Sequence, residues 1–157
     1  GDWSEDRLMT DIIQAVQAGK PVHLRYPYAT RPWQHVLEPL AGYLLYVEAL
    51  ADGKTEDKAL NFGPSQSHKV VDLVETVLSF WPNNSGWTLE ESEDLESKIL
   101  ELDSTRALAA LGWETRLSLH NAVSMVVDWH KKYEEHKEIT PITIDQISAY
   151  RDILKET

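Results

Sequence analysis

Arg7, Arg25 and Arg31 fall within the first 31 residues of a chain whose net charge is −11. The balance is −4 over residues 1–82 and −7 over residues 83–157. So acidic a chain holds an anionic ligand only by concentrating its few cations locally, and these three guanidinium groups are the candidates. No basic stripe accompanies them. That argues against nucleic acid, where phosphate contacts dominate affinity, and against an anionic membrane surface. Cysteine is absent, which removes disulfides and thiolate metal sites.

Other chemistries lack their residues. The six histidines, at 23, 35, 68, 120, 130 and 136, show no ligand spacing beside a carboxylate, so no metal site is expected. Neither a Gly-x-Ser-x-Gly elbow nor a P-loop is present. The seven glycines form no dinucleotide-binding turn. A Tyr-x-x-x-Lys pair exists at Tyr133 and Lys137, but Glu134 and Glu135 between them favour a protonated tyrosine. Tyr133 reads better as the end of a helix stripe, and Lys137 as a cation at a helix C-terminus. No catalytic residue is assigned.

The elements that must position the arginines are short. Ser4 is placed to cap a first helix whose stripe is Leu8, Ile12, Ala15 and Val16, stopped by Gly19. Residues 21–25 read as a strand and 26–30 as a loop. A second helix begins near Glu38 with an apolar stripe of Leu40, Tyr43, Leu44, Val47 and Leu50, ending at residues 52–54. Residues 59–62 read as a buried strand. Ser67 is placed to cap a third helix carrying Val70, Val74, Val77 and Trp81 on its inner face. Residues 87–89 and 98–102 read as further strands. Asp103 or Ser104 starts a short helix ending at Gly112, Ser118 caps a long one to about residue 136, and Thr143 starts a last one. Trp33, Trp81, Trp113 and Trp129 fall on apolar stripes and are expected in the core.

Several segments in this order resemble CDP-glucose 4,6-dehydratases, which are extended short-chain dehydrogenase/reductase enzymes. The specific one is Arg31-Pro32-Trp33-Gln34-His35-Val36-Leu37-Glu38-Pro39-Leu40, continuing to Gly42-Tyr43-Leu44. Others are Gly1-Asp2-Trp3-Ser4-Glu5-Asp6-Arg7-Leu8, Gly19-Lys20-Pro21-Val22-His23-Leu24-Arg25, Asn61-Phe62-Gly63-Pro64, and Leu102-Asp103-Ser104 leading to Leu111-Gly112-Trp113. One departure is clear. Where the family carries Pro-His-Glu-Ala-His, this chain has Asp94-Leu95-Glu96-Ser97-Lys98, with Glu96 and Lys98 left as possible substitutes.

The resemblance implies a ligand with a pyrophosphate, a flat base and a sugar. It implies that Arg31, in an Arg-x-Trp motif, contacts the diphosphate, and the planar fork of Arg suits that task. Arg7 would lie at the mouth of the substrate cleft, or be an exposed charge at a helix start. His23, Leu24 and Arg25 match a strand beside the base, which backbone groups often read. Asn61 matches an asparagine on the nucleotide portion, or bonds its own turn. The implied fold class is α+β, mostly helical with a few short strands: residues 1–157 as a single C-terminal substrate-binding subdomain with the Rossmann half absent. The implied reaction turns CDP-glucose into CDP-4-keto-6-deoxyglucose for surface polysaccharides, with NAD held by the missing half and none expected here. The family's tyrosine–lysine dyad precedes everything in this chain, so Tyr133 and Lys137 are not it. Expected partners are the nucleotide sugar, the missing half and a second copy, in the cytoplasm. Alternatives are another extended nucleotide-sugar epimerase or decarboxylase, and a non-enzymatic nucleotide-sugar-binding or helical interaction module.

Overall fold

In the computed structural model, which describes residues 4, 7–91, 97–136 and 138–155, short strands alternate with longer helices. In chain order they are helix α1 (Leu8–Gln17), strands β1 (Val22–Leu24) and β2 (Thr30–Arg31), helix α2 (Leu37–Ala51), strand β3 (His68–Lys69), helix α3 (Val70–Leu78), strand β4 (Trp87–Leu89), and helices α4 (Thr105–Leu111), α5 (Leu119–His136) and α6 (Ile139–Lys155). The mostly helical character with few strands matches the sequence reading. The chain divides into two units, residues 1–31 with 68–99, and residues 32–67 with 100–157.

In the first unit, α1 and α3 bury Ile12, Ile13, Val71, Leu73, Val74 and Val77. Between turns, β1 alternates: Val22 and Leu24 are buried and His23 is exposed. α1 ends where its periodicity ends. The Lys20 N–H donates to the Ala15 carbonyl and the Gly19 N–H to the Val16 carbonyl, with Gly19 at φ 65°. That double closure needs a left-handed residue, which glycine adopts without a Cβ clash. After α3, the Asn84 amide donates to the Leu78 and Trp81 carbonyls. The following turn delivers β4 beside β1 in parallel register, Val22 to Trp87, His23 to Thr88 and Leu24 to Leu89. β2 pairs with β3 in antiparallel fashion, and the Thr30 N–H reaches the Lys98 carbonyl.

The second unit is organised around two buried groups. One is Phe62, packed edge-on to Trp113 and Tyr43 at centroid distances of 5.0 and 5.4 Å, with Ala107 beneath. The other is Glu38, only 1% exposed. Its Oε1 accepts from the backbone N–H groups of Arg116 and Leu117, at 2.9 and 2.7 Å. Its Oε2 accepts from the Tyr150 hydroxyl at 2.7 Å, and its backbone carbonyl accepts from Trp113 Nε1 at 3.2 Å. A buried carboxylate is tolerable only when its lone pairs are so occupied. One residue therefore ties the start of α2 to residues 113–117, through its carbonyl and carboxylate, and to α6 through the carboxylate. Tyr150 is held protonated, its pKa raised by burial and by the bond to Glu38.

Several local expectations change. α1 starts at Leu8 with Arg7 in the capping position, so Ser4 is not its cap. α3 starts at Val70, and the Asp72 carboxylate accepts from the Lys69 N–H at 3.0 Å in place of a Ser67 cap. Residues 59–62 form no strand, and residues 98–102 contribute one bridge, Ile99 to Thr30. α6 starts at Ile139, and Thr143 instead accepts from Trp129 Nε1 at 3.0 Å. In α2 the apolar stripe is exposed, at 69% for Leu44 and 63% for Val47, while Glu38, Gly42 and Ala49 are buried.

Candidate functional site

Side chains alternate along a strand, so the parallel register puts His23 and Thr88 on one face of the β1–β4 pair, with Arg25 and Glu90 next along it. That face is polar because the opposite one carries Val22 and Leu24 into the core. It opens into a cavity of about 330 Å³ that Asp11 and Ala15 of α1 close along one side. Pro21 lines it as well. The volume is at the low end for ligand pockets and suits part of a nucleotide rather than a whole sugar nucleotide. His23 Nδ1 lies 2.9 Å from Thr88 Oγ1, which fixes the ring. The Glu90 N–H donates to the Leu24 carbonyl at 2.9 Å, so the residue is mounted on paired backbone.

The structure thus brings His23 and Arg25 together in one cavity. Arg31 belongs to the same unit and ends β2, opposite His68, with its Nη1 donating to the Thr30 carbonyl at 2.8 Å. Neither Arg31 nor Arg7 lines the cavity. Arg7 is exposed at the start of α1. Asn61 lies in the other unit, where its amide donates to the Asp103 carbonyl at 3.2 Å. Beside it, the Gly63 N–H donates to Ser104 Oγ at 2.7 Å, so the two segments are stitched together. Glu96 lies outside the described residues.

Asp11, Thr88 and Glu90 are not among the candidate residues read from the sequence, where Glu90 opens an acidic stretch that reads as solvated surface. The alternation of β4 marks Thr88 and Glu90 as one face, but only the register with β1 makes that face part of a cavity. The specific Trp33-Gln34 segment carries another signal. Trp33 Nε1 and Gln34 Oε1 are buried without a hydrogen-bond partner, although the Gln34 amide donates to the Phe62 carbonyl at 2.7 Å. His35 is buried too. Burial lowers its pKa, and its Nδ1 accepts from the Leu37 N–H at 3.3 Å. Tyr133 stacks on Trp129 at 5.5 Å, and Lys137 lies outside the described residues. Trp113 and Trp129 are buried as expected, while Trp33 and Trp81 are half-buried. Among the described residues no group of three or more His, Asp or Glu could hold a metal, and no helix is long and apolar enough to cross a membrane.

No family model matches the chain. Over 154 residues, 96% of its length, it is 35% identical to a CDP-glucose 4,6-dehydratase of Salmonella typhimurium. The match spans 43% of that protein, so the chain covers less than half the length of this relative. The resemblance read from the sequence is borne out. Among solved structures, a Thermotoga maritima UDP-glucose 4-epimerase with UDP-glucose is 20% identical, at a TM-score of 0.72 over 83% of this chain and 41% of that one. A Bacillus anthracis dTDP-glucose 4,6-dehydratase in complex with NAD is 18% identical, at a TM-score of 0.68 over 87% and 42%. A Bacillus cereus UDP-glucuronic acid 4-epimerase in complex with UDP-glucuronic acid and NAD is 17% identical, at 0.69 over 81% and 40%. At these identities the likeness shows a shared fold.

Proposed function

We propose that this chain is the C-terminal, nucleotide-sugar-binding part of an NAD-dependent CDP-glucose 4,6-dehydratase. The observation that carries this reading is the 35% identity to such an enzyme along nearly the whole chain. The polar cavity on β1 and β4 supports it, since two of the residues implied by the resemblance, His23 and Arg25, line it. In this reading the base and ribose lie along β1, Arg31 and Arg7 meet the diphosphate, and Asn61 serves the nucleotide portion. The complete enzyme, a cytoplasmic lyase, makes CDP-4-keto-6-deoxyglucose for polysaccharide synthesis.

In this reading NAD is held outside the present chain, and the glycines among the described residues are consistent with that. Gly19, Gly53, Gly86 and Gly112 have positive φ and sit at turns and helix ends. A Cβ at Gly42 or Gly63 would run into Phe62 or Leu102, so those positions are already filled by the protein's own side chains. In this reading the dinucleotide, the catalytic groups and the hydride chemistry belong to the Rossmann half, and the present chain alone is inactive. A second reading, part of a nucleotide-sugar epimerase, is favoured by the fold shared with the two epimerases.

Calorimetric titration of the chain with CDP-glucose, UDP-glucose and dTDP-glucose, repeated with Arg31→Ala, tests the proposal. Selective CDP-glucose binding, weakened about tenfold or more in the variant, is expected, as for loss of a charge-assisted bidentate contact. Preference for a uridine sugar would instead support the epimerase reading. Absence of binding to all three would sink both.

A further inference from the structure

The cavity on β1 and β4 contains a carboxylate that an anion-binding site does not need. Glu90 lies along the same face as His23 and Arg25 and lines the same cavity. Asp11 adds a second acidic group from α1. In a chain of net charge −11, a carboxylate beside a diphosphate-bearing ligand opposes binding unless the ligand offers it a hydrogen-bond donor. The phosphates and the ribose hydroxyls occur in every nucleotide sugar. The part of the ligand that differs is the edge of the base.

We propose that Glu90 is a specificity-determining residue whose carboxylate accepts a hydrogen bond from the exocyclic amine of cytosine, selecting cytidine diphosphates over uridine and thymidine diphosphates. The inference rests on the nucleotide-sugar reading above and deepens it. Cytosine presents an amine donor next to two acceptors, its ring nitrogen and its carbonyl. The cavity presents groups that match this edge: the Glu90 carboxylate on β4 as acceptor, the Arg25 guanidinium beside it as donor, and the His23 ring, held 2.9 Å from Thr88 Oγ1, with the second carboxylate, Asp11, across on α1. Uracil and thymine replace the amine with a carbonyl oxygen. A carboxylate facing that oxygen makes no hydrogen bond and repels it. Acidic side chains read cytosine amines on this principle, and such a contact is worth roughly tenfold or more in discrimination.

The test is a titration of the 157-residue chain with CDP, UDP and dTDP, then of Glu90→Gln and Glu90→Ala. The wild type is expected to bind CDP at least tenfold more tightly than UDP. Glu90→Gln is expected to bring the ratio within about threefold, because its amide both accepts from an amine and donates to a carbonyl. Circular dichroism should be unchanged, since Glu90 is exposed. Equal wild-type binding of CDP and UDP would overturn the selectivity while leaving the nucleotide reading standing. A CDP preference that survives both substitutions would overturn the role of Glu90. No binding of any nucleotide by the folded wild type would remove both.

Discussion

Glu38 and His35 show what single residues do in the Arg31-to-Leu40 segment. In the sequence Glu38 reads as an acid at a helix start. In the fold it is an interior acceptor for two backbone N–H groups and a tyrosine hydroxyl. No local pattern reveals this, because its donors lie 78, 79 and 112 residues away. His35, three residues earlier, gives a pH prediction. Burial lowers its pKa below 6.5, and His130 is shifted the same way, first by burial. Between the folded value and 6.5 the unfolded chain binds more protons than the folded one, so stability rises with pH across that window. Acidification from pH 7.5 to 5.5 should therefore lower the urea midpoint. Two carboxylates with depressed values act in a lower window: Asp57, held down by Arg106, and Asp103, held down by Thr105, lose their contribution only as pH falls below about 3.8. His35→Asn keeps a short acceptor for the Leu37 N–H without the titration, and should flatten part of the dependence. A midpoint that does not move between pH 7.5 and 5.5 in the wild type would refute the argument.

At the scale of elements, the C-terminal stops of helices were more legible than their starts. The stops at Gly19, residues 52–54 and Gly112 are local chemistry, a left-handed residue after the last turn, and each is where the sequence puts it. The Ser118 start of α5 is equally local, with its Oγ accepting from the Asn121 N–H at 3.2 Å. The strands at 59–62 and 98–102 failed for the opposite reason, since a strand exists only when a partner's backbone is beside it. In α2 the glycine sets the buried side. Gly42 faces inward because the Phe62 ring lies directly against its Cα, and that contact turns the larger apolar side chains outward. Gly42→Ala puts this to the test. In an open helix the change is favourable by about 0.5–1 kcal/mol. Here the new methyl overlaps the Phe62 ring, and overpacking should turn the gain into a net loss of about 1–3 kcal/mol. Thermal unfolding would show a drop of several degrees, partly restored by Phe62→Leu in the same chain. A higher melting temperature for Gly42→Ala alone would mean that Phe62 yields without cost.

For the whole molecule, the exposed apolar face of α2 is the surface feature from which association is predicted. Leu40, Tyr43, Leu44, Val47 and Leu50 are all at least 46% exposed, and they recur at helical spacing along one side, with Val36 at 62% just before the helix. Such a contiguous surface approaches the several hundred Å² beyond which apolar patches mark association sites. The periodicity showed an apolar face; it could not show that the fold leaves this face exposed. We expect a second copy to supply it in the isolated chain. A single helix stripe pairs with itself about a two-fold axis, each copy presenting the same patch, and such contacts close at two chains. Glu48 is the helix's one acid besides the buried Glu38, so charge opposes the pairing little. Doubling the patch gives roughly 1,000 Å² of total buried surface, at the lower limit for a specific interface, which implies a dimer that dissociates on dilution. Sedimentation velocity over micromolar concentrations should show a monomer–dimer equilibrium. Leu44→Glu places a charge at the centre of the patch and should leave a monomer with unchanged circular dichroism. A wild-type chain that stays monomeric at every concentration, or a dimer that Leu44→Glu leaves intact, would show that α2 is not where two copies meet.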